Sequence, residues 1–271
     1  MMRFPVVLAI GLGLALDPAS ARAGFDEAVY AINIGDYAAA LKKLRPLAER
    51  GDARAQHKLG VLYGEGRGVA EDLAEAAKWY RRAAEQGHIA AQNDLAVLFM
   101  GGKGVAQDYA EAAKWYRRAA EQGDAGAQTD LGYLLYLGQG VARDYGEAGA
   151  WWRKAAEQGY ANGQQYLAFF YKAGEGVAQD LAEATKWFRK AAASDHVIAQ
   201  YELALLVFEG HGAPPDHVEA HMWAELAAAR GHPRAAEIRA AFAERMTAEQ
   251  IAEAERRARA WRADPPMGSK P

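Results

Sequence analysis

Tryptophan returns every 36 residues along the chain, at Trp79, Trp115, Trp151, Trp187 and Trp223. Two more columns keep that spacing. One is the glycine pairs Gly66/Gly68, Gly102/Gly104, Gly138/Gly140, Gly174/Gly176 and Gly210/Gly212; the other is Asp72, Asp108, Asp144, Asp180 and Asp216. Tandem units without insertions restrict the fold to a repeat architecture, in which each unit buries its apolar face only against its neighbours. The five units are read as 52–87, 88–123, 124–159, 160–195 and 196–231.

Each unit reads as two helices. In 88–123, Ala91, Leu95, Leu98 and Phe99 recur at helical spacing, Gly102-Lys103-Gly104 stops that segment, and Asp108 starts a second helix. Asp108 with Glu111 forms an Asp version of the capping box, repeated at Asp72/Glu75, Asp144/Glu147, Asp180/Glu183 and Asp216/Glu219. The second helix carries the tryptophan column, expected in the core, and closes at Gly87, Gly123, Gly159 and Gly231. Asp195 stands where that glycine is missing, which predicts a less relaxed turn. Glycine is costly inside helices, so its high count of 28 against 9 prolines is explained as punctuation between them. The five tryptophans and the second glycines of the pairs, Gly68, Gly104, Gly140, Gly176 and Gly212, are the expected structural positions of the repeat. The unmatched Trp152 is expected near the surface.

The ends depart from the pattern, as solenoid caps do. Residues 24–51 form a degenerate capping repeat, with Phe25 to Ile34 partnering a helix from Asp36. Residues 232–264 supply C-terminal capping helices, the last opened by Thr247-Ala248-Glu249-Gln250, and residues 265–271 read as a disordered tail. Residues 1–23 read as a secretory signal peptide: Arg3, an apolar run from Phe4 to Leu16, then small residues permitting cleavage after Ala23. Removing them takes the formal charge from −3 to −4. The expected location is periplasmic or secreted, with no membrane span after cleavage; an uncleaved anchor is the alternative, since one basic residue precedes the run.

The pattern A-x-x-x-L-(G/A)-x-L-(Y/F)-x-x-G-x-G-V-x-x-D-x-x-E-A-x-K-W-Y, best kept in Ala55–Gly87 and Ala91–Gly123, resembles Sel1-like repeats, relatives of the tetratricopeptide repeat. The resemblance covers about residues 25–262 and implies an all-α fold. It implies a right-handed α-solenoid of stacked antiparallel helix pairs, with the first helices (A) lining a concave face. It implies an adaptor without naming its partner; together with the signal peptide and the absent nucleophiles it leads to the expectation of a non-catalytic scaffold, adaptor or regulator of an envelope complex or membrane sensor. Some cysteine-rich relatives are linked to β-lactam binding, which leaves a cell-wall or β-lactam-related binder or weak hydrolase as the alternative.

The residues offer little for chemistry. With no cysteine there is no thiolate nucleophile or Cys-ligated metal, and the net charge of −3 supplies no basic footprint for nucleic acid. The G-x-G turns lack the Lys and Ser/Thr of a phosphate loop. After the signal only Ser194 and Ser269 remain, neither in an S-x-x-K or G-x-S-x-G setting, so no catalytic residue and no cofactor is expected. The weak metal candidate is His211, His217 and His221, the last two one helical turn apart, although both stand in packing columns. His88, His196 and His232 share one column just after the inter-repeat turn and read as a helix-start preference.

A protein or peptide segment is the expected partner. Constant columns hold a stack, so recognition belongs to helix A positions that vary between units along one stripe. These begin at His57, Val61 and Gly64 and continue through Asn93, Val97 and Met100; Thr129, Tyr133 and Tyr136; Gln165, Phe169 and Lys172; and Tyr201, Leu205 and Phe208. The aromatic members from Tyr133 to Phe208 would line a groove, the alternative being that they pack against neighbouring A helices. For the tryptophan column, Trp115→Ala is expected to lower the unfolding free energy by about 3–5 kcal/mol in urea denaturation.

Overall fold

The computed structural model describes residues 18–263. The apolar run Phe4–Leu16 and the tail 265–271 lie outside the described residues. Among those described there are fourteen helices and no strand. They fall into two compact units, one ending at His88 and one beginning at Ile89. The first holds α1 (Pro18–Asn33), α2 (Tyr37–Glu49), α3 (Ala53–Gly64) and α4 (Leu73–Glu85). The second holds α5 (Ile89–Gly101), α6 (Tyr109–Glu121), α7 (Ala125–Leu137), α8 (Tyr145–Glu157), α9 (Ala161–Ala173), α10 (Leu181–Ala193), α11 (Val197–Glu209), α12 (His217–Ala229), α13 (Ala235–Ala243) and α14 (Ala248–Ala263). Within each unit successive helices pack on one another as antiparallel pairs, the arrangement of an α-solenoid. α1 starts before Ala23, the expected cleavage point, and continues through it.

All ten glycines of the G-x-G turns take positive φ. The second of each pair, Gly68, Gly104, Gly140, Gly176 and Gly212, is exposed. Their structural role is conformation and close approach, not burial. A Cβ on Gly140 would lie 2.2 Å from the Tyr109 carbonyl carbon at the start of α6. On Gly68 it would lie 2.6 Å from the Tyr37 Cβ, on Gly176 2.4 Å from the Tyr145 Cβ, and on Gly212 2.8 Å from the Ala182 Cα. At these four positions the turn of one repeat therefore rests on the start of a B helix in the helix pair before it, where only glycine fits. Between repeats the expected left-handed closures occur at Gly51, Gly87, Gly123, Gly159 and Gly231. Asp195 adopts the same conformation at φ 62°, the lone non-glycine to do so among the described residues. Its carboxylate pairs with Arg230 at 2.6 Å, which offsets part of the left-handed cost.

Only half of the capping box forms. Each Asp accepts from the Glu amide three residues on, at 2.8–3.0 Å. The Asp amides instead donate to carbonyls of their own A helix, such as Asp144 to Leu135, so the glutamates are released for other work. Glu75, Glu111 and Glu183 have lysine at i+3 and pair with it. At Glu147 and Glu219 the i+3 residue is Ala150 or Met222. Each of these glutamates accepts from the indole of its own tryptophan, Trp151 or Trp223, and pairs with Arg117 or Arg189 on the preceding B helix. The indole N–H groups of Trp79, Trp115 and Trp187 meet no acceptor.

The tryptophan column is buried as expected. A cation at i+3 covers four of the five indoles: Arg82, Arg118, Lys154 and Lys190, at 3.9–4.6 Å from the ring centre. Leu226 takes that place after Trp223, whose ring is met instead by Trp261 of α14, edge-on at 4.9 Å. Thr247 and Gln250 exchange both capping bonds to start α14. Glu225 pairs with Arg239 of α13 and Arg262 of α14, tying both capping helices to α12.

A buried glutamine column links the repeats. Gln56, Gln128, Gln164 and Gln200 each donate to the carbonyl eight residues back on the preceding B helix, at 2.9–3.3 Å. Gln86, Gln122 and Gln158 at the B-helix ends donate to the oxygens of Gln56, Gln92 and Gln128 at 2.7–2.8 Å. The fourth and fifth repeats carry Ser194 and Arg230 at that position, and the buried oxygens of Gln164 and Gln200 are left without a donor. An unmet buried acceptor costs about 1–3 kcal/mol. Ser194→Gln is therefore expected to raise the unfolding free energy by roughly 1 kcal/mol, with Ser194→Ala as the control that gives no gain in the same urea titration.

Candidate functional site

The varied stripe does not form one continuous groove. Thr129 is buried, with its hydroxyl turned to the Ala125 carbonyl at 2.8 Å, and Gln165 is buried too. Tyr201 is buried face to face with His232 at 4.1 Å. Phe208 stacks on Phe242 of α13 at 3.9 Å and on His217 at 4.5 Å. Thr129, Gln165 and Tyr201 are corrections, their side chains taken up by packing; Phe208 is half-buried and, with His217, Phe242 and Arg245, lines a second open cavity of about 560 Å³ against α13. Asn93 and Met100 are half-buried and lie outside the cavity described next.

Tyr133, Tyr136, Phe169 and Lys172 converge. With Trp152, Tyr166, Phe170 and Ala173 they line an open, largely apolar cavity of about 440 Å³ on α7, α8 and α9. Trp152 is a further correction. It is 2% exposed, lies parallel to Tyr166 with ring centres 5.4 Å apart, and donates its indole N–H to the Thr129 carbonyl at 3.1 Å. Tyr136 and Phe170 approach the same indole at 5.5 and 5.8 Å, and Tyr133 meets Tyr166 at 5.8 Å. Offset and edge contacts of this kind fix ring positions as well as burying area.

Two exchanges between columns make room for these rings. Trp152 stands where Tyr80 and Tyr116 do, and lies against Gly132, where a Cβ would be 2.6 Å from its Nε1. Phe170 stands where Leu62, Leu98 and Leu134 do, opposite Gly149, which replaces Ala77 and Ala113; a Cβ there would be 2.5 Å from the Phe170 ring. Trp152, Tyr166 and Phe170 are legible as departures from their own columns, but lie off the single stripe of varied A-helix positions.

Charges of both signs surround the cavity, with Lys172 in its lining and Arg143 beside Tyr136. The Tyr136 hydroxyl donates to Glu175, which, with some desolvation, pushes its pKa up to about 12, so it stays a neutral donor. Lys172 is taken up by Glu202 at 2.6 Å. Behind Tyr166, burial pushes the Asp130 carboxyl up despite its hydrogen bond from Tyr116.

The histidines do not gather. His211 pairs with Glu209 at 2.9 Å, His217 stacks on Phe208, and His221 is buried, where desolvation pushes its imidazole down. Among the described residues no three His, Asp or Glu side chains converge on one point. His196 caps α11 through Nδ1, and His232 accepts from the Arg234 amide, in keeping with a helix-start role. Ser194 is the C-cap of α10; Ser269 lies outside the described residues. No described helix is long and apolar enough to cross a membrane.

Paired helices of constant length, glycine turns and a varied aromatic cavity define a helical-repeat protein of the solenoid class. The chain belongs to the Sel1 repeat family, whose model matches residues 53–88, 89–124, 125–160, 161–196 and 197–232. It is similar to a Sel1 repeat protein from Oxalobacter formigenes, at 33% identity over 79% of this chain and 88% of that one, with a TM-score of 0.75. It is also similar to a protective antigen of uropathogenic Escherichia coli with an SLR fold, at 26% identity over 86% and 66% of the two chains, with a TM-score of 0.50. No curated protein sequence matches the chain closely enough to count as a relative. Sel1 repeat proteins are generally protein-interaction scaffolds.

The exchange at Gly149 and Phe170 gives a direct test. Gly149→Ala is expected to lower stability by about 1–3 kcal/mol despite alanine's better helix propensity. Adding Phe170→Leu, which restores the Ala113/Leu134 pairing of the previous repeat, should recover most of the loss in a double-mutant cycle of urea denaturation.

Proposed function

We propose that this chain is an exported, non-catalytic scaffold, acting in the periplasm or outside the cell as an adaptor or regulator of an envelope complex or membrane sensor. The observation that carries the reading is the cavity on α7–α9, where Tyr133, Tyr136, Tyr166, Phe169 and Lys172 face an incoming segment over the buried rings of Trp152 and Phe170. This cavity supplies the anchor point and the flanking A-helix surface the rim. An apolar anchor pocket with few polar groups suits a peptide or protein segment, and a handful of such contacts dominates affinity. Export rests on the basic, apolar and small-residue order of residues 1–23.

Affinity capture from native envelope extract with the purified mature protein tests the reading. The wild type is expected to retain a protein that Tyr133→Ala/Phe169→Ala loses at least about tenfold, equivalent to 1.4 kcal/mol. Equal recovery by both would sink the groove. Intact mass of secreted material tests the export half: loss of 23 residues is expected, and a full-length product would overturn it.

A further inference from the structure

The anchor cavity is aromatic; beside it the Arg143 guanidinium is directed to the Tyr145 hydroxyl and the Leu137 carbonyl. Tyr133, Tyr136, Trp152 and Tyr166 are four π systems within 6 Å of one another in a connected cluster. Aromatic faces attract cations, most strongly where water is thinned out. One carboxylate stands at this box without a cationic partner of its own: Glu175 accepts from Tyr136. The cavity's own cation, Lys172, is already neutralised by Glu202.

We propose that the side chain bound in this cavity is the Lys or Arg of a basic peptide segment, its cationic head held against Tyr133, Tyr136 and Tyr166, with Trp152 buried behind them, and its charge met by Glu175. This rests on the cavity being the partner site, as proposed above, and adds the chemistry of what fills it. Charge complementarity selects that occupant over a purely apolar one: a leucine or phenylalanine would bury the same rings but leave Glu175 without a counter-charge. The aliphatic stem of Lys or Arg also suits a cavity lined mainly by carbon.

The test uses the full chain carrying 5-fluorotryptophan, with the Trp152 resonance assigned through Trp152→Phe. It is titrated with choline and with its uncharged isostere 3,3-dimethylbutan-1-ol, then with acetyl-Gly-Gly-X-Gly-Gly-amide, where X is Lys, Arg or Leu. The Lys and Arg peptides and choline are expected to shift the Trp152 signal with Kd values about tenfold below those of the isostere and the Leu peptide. Glu175→Gln should weaken choline severalfold at unchanged Tm, and raising the salt should do the same. Equal or tighter binding of the uncharged isostere overturns the cationic occupant while leaving the cavity as an apolar anchor. If no probe moves Trp152, the cationic occupant is likewise overturned, and the Tyr133→Ala/Phe169→Ala capture decides the cavity separately.

Discussion

At the joints between helices, side chains of one carbon stand where larger ones would hold the backbones apart. Ala76, Ala112, Ala148, Ala184 and Ala220 are fully buried, and so are Ala83, Ala119, Ala155, Ala191 and Ala227 one B-helix face further on. Interaxial distance follows the side chains at the contact, so alanine at these sites lets each helix close on the next. The rest of the architecture depends on that closeness. Gly140 touches the backbone of Tyr109, and the amide of Gln128 reaches the Ala120 carbonyl directly.

With the spacing set this tightly, added volume at one position has to be removed at another. The cavity on α7–α9 arises where that exchange is made twice, Trp152 against Gly132 and Phe170 against Gly149. Neither ring could enter the neighbouring repeat, where the facing positions carry Ala96 and Ala113. The assembled site and the loosened part of the stack also lie near one another in the chain. The glutamine bridge is complete at Gln158–Gln128 and interrupted at Ser194, and Asp195 replaces the closing glycine beside it.

Sequence periodicity made the helices, their caps, the glycine turns and the buried tryptophans legible, because each depends on contacts within one repeat or between equivalent positions of adjacent ones. Even the strain at Asp195 could be read, since every equivalent turn has glycine. The column Gln56, Gln92, Gln128, Gln164 and Gln200 has the same signal, but glutamine is ordinary on helix surfaces and its burial leaves no mark in the sequence. The candidate stripe was half legible. Tyr133, Tyr136, Phe169 and Lys172 meet at one cavity, whereas Thr129, Gln165 and Tyr201 turn into packing and Phe208 stacks on α13.

By itself the sequence determined the repeat length, the helix pairs and the punctuation between them, since turn chemistry and apolar periodicity act over a few residues. Tertiary structure decided which aromatics remained available. Phe208 was half covered by Phe242, a residue of a helix outside the repeats, and Trp152 left the surface because Gly132 on another helix made space for it. A stripe on one helix records which way a side chain points; whether it meets solvent or a neighbour is fixed by the volume that the facing helix leaves, and that depends on residues far away in the chain.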